Sequence, residues 1–324
     1  MATPTYRVVV LDGQYAEYDQ EHAVLDPIGA ELILADCDND PDRMADAVTH
    51  ADGVFVRISD CPRSVVEAMA NCRVIVRYGV GYDNVDVQAA SERGIKVANV
   101  PDYGVEEVSD HAVALLLAVN RQIAVRDSAL RNGIWDQGTM APVHRIRGSV
   151  LGVVGFGRIA RAFVRKMAGF DLSRVLVFDP FVQDWPGDVE PAELETIWRQ
   201  ADYISLHSPL TETTRHMVDR ESLSLMKPGA VLINSSRGGL IDDDALAEAL
   251  SSGRLRGAGL DVFESEPPSP DHPLMGLSNV VLSDHFAWYS VESLADLKRK
   301  AAEEVRRVLE GGDPVNWVNR AAFG

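Results

Sequence analysis

The sequence predicts an α/β protein made of two doubly wound parallel sheets, and three observations carry that expectation. The chain has 324 residues, more than one ordinary core holds. Short apolar runs alternate with polar, helix-compatible stretches, the pattern of parallel strands covered on both faces. The alternation restarts at Val150 after a long helical stretch, giving two series of strands.

In the first series, residues 7–11, 31–35, 53–58, 73–76 and 95–98 read as strands. The second series predicts six strands, at residues 150–154, 174–178, 203–206, 230–234, 257–262 and 280–283, which suits a nucleotide-binding sheet. Between the two series, Val108, Ala112, Leu115, Leu116, Leu117 and Val119 give residues 105–132 an apolar helical face that ends at Asn132-Gly133. As one helix it spans roughly 40 Å. Leu294, Leu297, Ala301, Val305 and Val308 repeat at helical spacing until Gly311-Gly312, so a second helix follows residue 290.

A net charge of -18 repels nucleic acid and anionic lipid, which excludes direct binding to either. An anionic substrate must therefore be drawn in by particular cations. Cys37, Cys61 and Cys72 lack metal-ligand spacing and are odd in number, so no metal is expected and a reducing, cytoplasmic setting is. Residues 1–11 hold too short an apolar run for a signal peptide, and no run reaches membrane-spanning length.

Gly155-Phe156-Gly157-Arg158-Ile159-Ala160 follows a strand and opens an amphipathic stretch, the context of a dinucleotide-binding turn. Gly155 serves the turn and Gly157 the close approach to pyrophosphate, while the following helix offers unpaired N–H groups, including those of Arg158 and Ile159. Asp179 ends the next strand, 22 residues after Gly157, where a carboxylate can bond both ribose hydroxyls and repel a 2'-phosphate. NAD is therefore favoured over NADP as cofactor.

Three segments near the end of the chain supply an arginine, a carboxylate and an imidazole: Ser235-Ser236-Arg237-Gly238-Gly239, Asp261-Val262-Phe263-Glu264-Ser265-Glu266-Pro267 and Asp284-His285-Phe286-Ala287-Trp288. All fall just beyond predicted strand ends, where open α/β sheets bind ligands. Taken singly, Arg237 reads equally as a surface ion pair, Glu266 as a turn residue and His285 as a strand cap. Glu264 is the rival carboxylate.

In order and wording these segments resemble the D-2-hydroxyacid dehydrogenase family. Glu264-Ser265-Glu266-Pro267 and Ala287-Trp288-Tyr289-Ser290 resemble its C-terminal-binding-protein branch, whose animal members double as corepressors. The resemblance implies a flavodoxin-like substrate domain from residues 1–100 and 290–324 and a Rossmann NAD-binding domain from residues 101–289, with an active-site cleft between them. It implies Arg237, Glu266 and His285 as catalytic residues: the arginine for a carboxylate or oxo group, the histidine as acid and base, and the glutamate before the proline tuning it. It adds His207, Pro209, Thr213, Ser235, Ser236 and Asp261 to the cofactor site, with Arg237 and His285. Arg77-Tyr78-Gly79-Val80-Gly81 resembles the family's substrate loop, with backbone N–H groups near Val80 and Gly81 holding the substrate carboxylate. Trp288 would pack on the substrate side chain. A small 2-oxo or 2-hydroxy acid is the implied substrate. A homodimer is the implied assembly, built on residues 105–147 with Trp135 and Met140. The alternative is an NADH-sensing dimeric scaffold of corepressor type.

Overall fold

Runs such as Val8-Val9-Val10-Leu11 and Val54-Phe55-Val56 are fully buried, which places the sheets inside layers of helix. The structure, a computed structural model, describes residues 5–135 and 142–324. Met140 lies outside the described residues. The chain divides into two compact units, Met1–Gly104 with Ser290–Gly324, and Val105–Tyr289.

The first unit contains β1 (Tyr6–Leu11), α1 (Asp19–Leu25), β2 (Ala30–Ala35), α2 (Pro41–Val48), β3 (Gly53–Val56), α3 (Arg63–Ala68), β4 (Val74–Arg77), α4 (Val87–Glu92) and β5 (Lys96–Ala98). Its five described strands pair in parallel in the order β2-β1-β3-β4-β5, the flavodoxin-like order. Met44, Val48, Val65, Val66 and Ala89, from α2 to α4, cover one face.

The second unit contains α5 (Val105–Arg121), α6 (Ile123–Arg131), β6 (Val150–Val154), α7 (Arg158–Met167), β7 (Arg174–Phe178), β8 (Glu190–Pro191), α8 (Leu194–Gln200), β9 (Tyr203–Leu206), α9 (Arg220–Leu225), β10 (Ala230–Asn234), α10 (Asp243–Ser251), β11 (Leu255–Leu260) and β12 (Val280–Leu282). α11 (Val291–Leu309) then belongs to the first unit, where it packs on α1, β3 and β4. Ser290 starts α11 with a reciprocal cap: its hydroxyl accepts the Ser293 N–H at 2.8 Å, and the Ser293 hydroxyl accepts the Ser290 N–H at 2.7 Å. The tail then meets β5, where the Val318 N–H donates to the Val97 carbonyl at 2.8 Å.

The second sheet runs β12-β11-β10-β9-β6-β7-β8, with every described pair parallel, so strand order reverses beside β6. That reversal is where this sheet type binds dinucleotides. α5 and α7 cover one face through Leu115, Leu116, Phe163 and Met167; α8, α9 and α10 cover the other through Ile197, Trp198, Leu223 and Leu246.

Two expectations need correction. The sheet has seven described strands, not six; the extra one is the two-residue edge strand Glu190–Pro191. It has no apolar run to betray it, and a proline is tolerated at an edge. The helix expected over residues 105–132 is two helices, because Gln122 takes a left-handed φ of 54°. α5 buries Val108, Ala112, Leu115 and Leu116 against the sheet, whereas no α6 residue is fully buried among the described residues. Among the described residues, no helix is long and apolar enough to cross a membrane.

Candidate active site

Adjacent strands β10, β11 and β12 each end in one of the three polar segments. After β12, His285 has a left-handed φ of 56°, a conformation its loop must hold in place. Asp261, directly after β11, does much of that holding. Its carbonyl accepts the His285 N–H at 2.8 Å, and its carboxylate, 1% exposed, accepts the N–H groups of Phe286 at 2.9 Å and Ala287 at 3.0 Å. The Ser283 hydroxyl donates to the same carboxylate at 2.6 Å, and His111 Nε2 on α5 lies 2.8 Å from that hydroxyl. His111 was not expected here, because in sequence it is one polar residue inside the α5 apolar run.

The imidazole of His285 meets Glu266: Nδ1 is 2.7 Å from Oε2, with both side chains more than a third exposed. The other Glu266 oxygen accepts the Phe263 N–H at 3.0 Å. Burial alone would raise the Glu266 carboxyl. The hydrogen bond and charge of His285, the Phe263 N–H and the Arg237 charge outweigh it and hold the group below its ordinary value. Glu266 is thus a carboxylate near neutral pH, and Nδ1–H is the donor. Nε2 makes no hydrogen bond with the described chain and is left to exchange a proton. Glu264 points elsewhere, with Oε1 2.6 Å from Arg215 Nη1 and 3.0 Å from His216 Nε2. Arg237 follows β10, and its Nη1 donates to the Ser236 carbonyl at 2.7 Å.

The glycine turn follows β6. Gly155 has φ +87°, and a Cβ there would lie 2.7 Å from the His207 carbonyl carbon and oxygen, so only glycine fits. A Cβ on Gly157 would meet nothing within 4 Å, and no side chain caps α7. The N–H groups of Gly157, Arg158 and Ile159 have no acceptor among the described residues, leaving the N-terminus of a ten-residue helix with open donors. Asp179 braces the turn: one oxygen accepts the Phe156 N–H at 2.7 Å, the other the Phe181 N–H at 2.9 Å. Its remaining lone pairs can still take ribose hydroxyls. Both open donors and acidic strand end suit a dinucleotide.

Beyond β9 and β10 the expected cofactor residues separate into two kinds. The Pro209 carbonyl accepts the Thr214 hydroxyl at 2.7 Å, and the hydroxyls of Thr213 and Thr211 are 3.1 Å apart on an exposed loop. Ser236 donates inward to the Leu206 carbonyl at 2.8 Å, whereas the Ser235 hydroxyl is buried with no partner among the described residues. His207 packs its ring on Phe163, places Nε2 2.9 Å from the Ser205 hydroxyl and leaves Nδ1 buried without a partner among the described residues. Burial pushes its pKa down to about 3, so the ring is neutral.

In the first unit, the side chain of Tyr78, expected within the substrate loop, is turned into the core. It is 2% exposed, stacks on Phe55 and donates its hydroxyl to Glu21 at 2.8 Å, which makes it core. The loop after it fits its expected chemistry better. The carbonyls of Gly79 and Val80 are taken by the Val100 N–H at 2.9 Å and the Asn99 amide at 2.6 Å, while the N–H groups of Val80 and Gly81 have no acceptor among the described residues. Arg77 ends β4. Arg57, unremarked in the sequence, follows β3; its guanidinium lies over the Tyr15 ring at 4.5 Å, and Asn84 from the loop donates to its carbonyl at 3.2 Å. Trp288 is partly buried and packs edge-on against Tyr289.

A cavity of about 220 Å³ near Val119, Gln122 and Arg256 lies toward the amino end of β11, away from these groups. Among the described residues no cluster of His, Cys, Asp and Glu is placed to hold a metal.

Residues 113–287 match the profile described as D-isomer specific 2-hydroxyacid dehydrogenase, NAD binding domain. The glyoxylate reductase of Korarchaeum cryptofilum is 42% identical over 284 residues, covering 82% of this chain and 85% of that protein. The D-3-phosphoglycerate dehydrogenase of Mycobacterium tuberculosis is 38% identical over 284 residues, and this chain covers 53% of its length. Among solved structures, D-lactate dehydrogenase from Aquifex aeolicus, complexed with NAD and lactic acid, superposes with a TM-score of 0.86 at 25% identity, over 96% of this chain and 99% of that one.

Proposed function

The chain belongs to the D-isomer specific 2-hydroxyacid dehydrogenase family, an NAD-dependent oxidoreductase family, and we propose that His285, Glu266 and Arg237 are the residues with which it interconverts a D-2-hydroxy acid and its 2-oxo acid. The observation that carries this reading is the 2.7 Å contact between Glu266 and His285 Nδ1, which leaves Nε2 open beside the ends of β10 to β12.

A dinucleotide held at the Gly155–Gly157 turn and Asp179 would supply the hydride for carbon 2 of the oxo acid. As the carbonyl electron pair moves onto oxygen, His285 Nε2 gives that oxygen a proton, and the Glu266 carboxylate stabilises the imidazolium beforehand. In the oxidative direction Nε2 takes the proton back. The Arg237 fork holds the carboxylate and oxo oxygen, local positive charge that a chain of net charge -18 needs. In the first unit, the open N–H groups of Val80 and Gly81 support the expected role of that loop in holding a carboxylate. Asp261 has its carboxylate committed to the His285 loop, which supports a positioning role in addition to any contact with the nicotinamide amide.

A homodimer is supported by α6 and the residues after it, which expose Ile123, Leu130, Ile134 and Trp135. The free thiols of Cys37, Cys61 and Cys72 support a reducing compartment such as the cytoplasm.

The test is a panel of glyoxylate, hydroxypyruvate, pyruvate and longer 2-oxo acids, followed by loss of NADH absorbance. At least one is reduced, and His285→Ala slows it about 100- to 10,000-fold. An intact chain that binds NADH and reduces no member of the panel refutes the proposal.

A further inference from the structure

Three loops of the second unit meet behind the proposed catalytic groups. The segment after β9 is zipped to the segment after β10: the His216 N–H donates to the Gly239 carbonyl at 2.8 Å, the Val218 N–H to the Leu240 carbonyl at 3.0 Å, and the Asp242 N–H to the Val218 carbonyl at 2.9 Å. The segment after β10 is in turn pressed on the one after β11. A Cβ on Gly238 would lie 1.8 Å from the Phe263 carbonyl carbon and 2.3 Å from the Glu264 nitrogen, so the two backbones touch. Arg237 is the residue before that contact, and Glu266 lies two residues after it.

Side chains lock the stack. From the β9 loop, Arg215 Nη1 and His216 Nε2 both reach Glu264 Oε1, at 2.6 Å and 3.0 Å. Arg215 also lies along the glycine pair, with Nη1 3.4 Å from where a Gly239 Cβ would be. Nearby, Asp243 Oδ2 is 3.1 Å from His272 Nε2. His216 adopts a left-handed φ of 50°, uncommon for a residue other than glycine, and that turn accompanies its side chain's reach to Glu264.

We propose that Arg215, His216 and Glu264 form a clasp that positions Arg237 and Glu266, tying the loop expected to hold the cofactor to the loops that carry the acid–base chemistry. The proposal rests on the reading of Arg237, Glu266 and His285 as the reacting side chains. Arg215, His216 and Glu264 are positioning residues: the Arg215 and His216 contacts fix Glu264, and Glu264 fixes the turn from which the Glu266 carboxylate meets His285. An exposed ion pair ordinarily does little for stability, so its effect falls on geometry. Misplacement by about 1 Å can cost on the order of 100-fold in rate.

The experiment compares Glu264→Ala, Glu264→Gln and Arg215→Met with the full-length parent, on the member of the 2-oxo acid panel that the parent reduces best. kcat, NADH affinity by fluorescence titration and Tm are read for each. The expected result is a fall in kcat of about 10- to 100-fold in Glu264→Ala and Arg215→Met, with NADH affinity within about twofold. Glu264→Gln keeps an acceptor for Arg215 and recovers most of the rate. A Glu264→Ala kcat within twofold of the parent, or a Gln variant as slow as the Ala variant, overturns the clasp. Arg215→Met repeats the test from the opposite loop should Glu264→Ala fold poorly. His285→Ala and Arg237→Met run alongside: if they keep full turnover, the catalytic reading fails and the clasp with it, whereas if they are slow and Glu264→Ala is not, only the clasp fails.

Discussion

Replacing His207 with phenylalanine tests how the second unit handles a buried imidazole at the end of β9. The native ring is held neutral, its pKa pushed from 6.5 to about 3 by burial. Its folded-state pKa is therefore depressed, and the unfolded chain binds the proton that the native state refuses. Stability is fully present above pH 6.5 and falls as pH drops from there towards about 3. Between pH 7 and pH 5, an unfolded imidazole takes up most of a proton and the native one almost none, which costs the native state about 2 kcal/mol. This figure barely changes if the native value lies anywhere below about 4. Urea unfolding at the two pH values, followed by tryptophan fluorescence and circular dichroism, measures it. His207→Phe keeps the packing on Phe163 and loses the contact with Ser205, so its stability at pH 7 shifts as well. The informative quantity is the change between pH 7 and pH 5, about 2 kcal/mol larger in the parent than in the variant. Equal changes in the two proteins, within about 0.5 kcal/mol, would show that the ring titrates freely in the native state and refute the reasoning.

Glu266→Gln keeps an acceptor for the Phe263 N–H but removes the charge facing His285, so kcat for reduction should fall about 10- to 1,000-fold while NADH affinity holds; stopped-flow reduction separates the two. Gly155→Ala pushes a methyl group to 2.7 Å from the His207 carbonyl at a φ of +87°, and should lower Tm and abolish NADH binding in a fluorescence titration. Asp179→Ser removes the charge that repels a 2'-phosphate and weakens the brace on Phe156; NADH affinity should drop about 10-fold and the NADH-to-NADPH preference should narrow, read from Kd values for both. Trp135→Asp should shift the chain towards monomer in light scattering, because it charges the most exposed residue of the apolar stretch that follows α6.

Much of the fold was legible because its strands are buried on both faces and end at polar or turn-forming residues. β6, β7, β9 and β10 begin and end where the apolar runs do. Local patterns failed where the deciding contact was remote. Residues 105–132 carry one apolar repeat, but only the sheet beneath α5 determines where helix burial stops, and the chain turns at Gln122. Tyr78 lies in the segment expected as the substrate loop; Glu21, 57 positions away, takes its hydroxyl within the core. Glu264 and Glu266 are nearly equivalent in sequence, and what separates them is that Arg215 and His216 lie on one side of the turn and His285 on the other.

The sequence by itself determined the inventory: two series of buried strands, a glycine turn with an acidic partner 22 residues on, and one arginine, one carboxylate pair and one histidine beyond late strand ends. These are local properties of spacing and polarity, and they survive without knowledge of what packs on what. The resemblance had already singled out Glu266, before Pro267, as the partner of the imidazole; tertiary structure alone decided what Glu264 does instead, which oxygen of Asp261 holds which N–H group of the His285 loop, and how three loops come together near Arg237. Hydrogen bonds at 2.6–3.0 Å between residues tens of positions apart depend on the order of strands in the sheet, and short-range pattern does not encode that order.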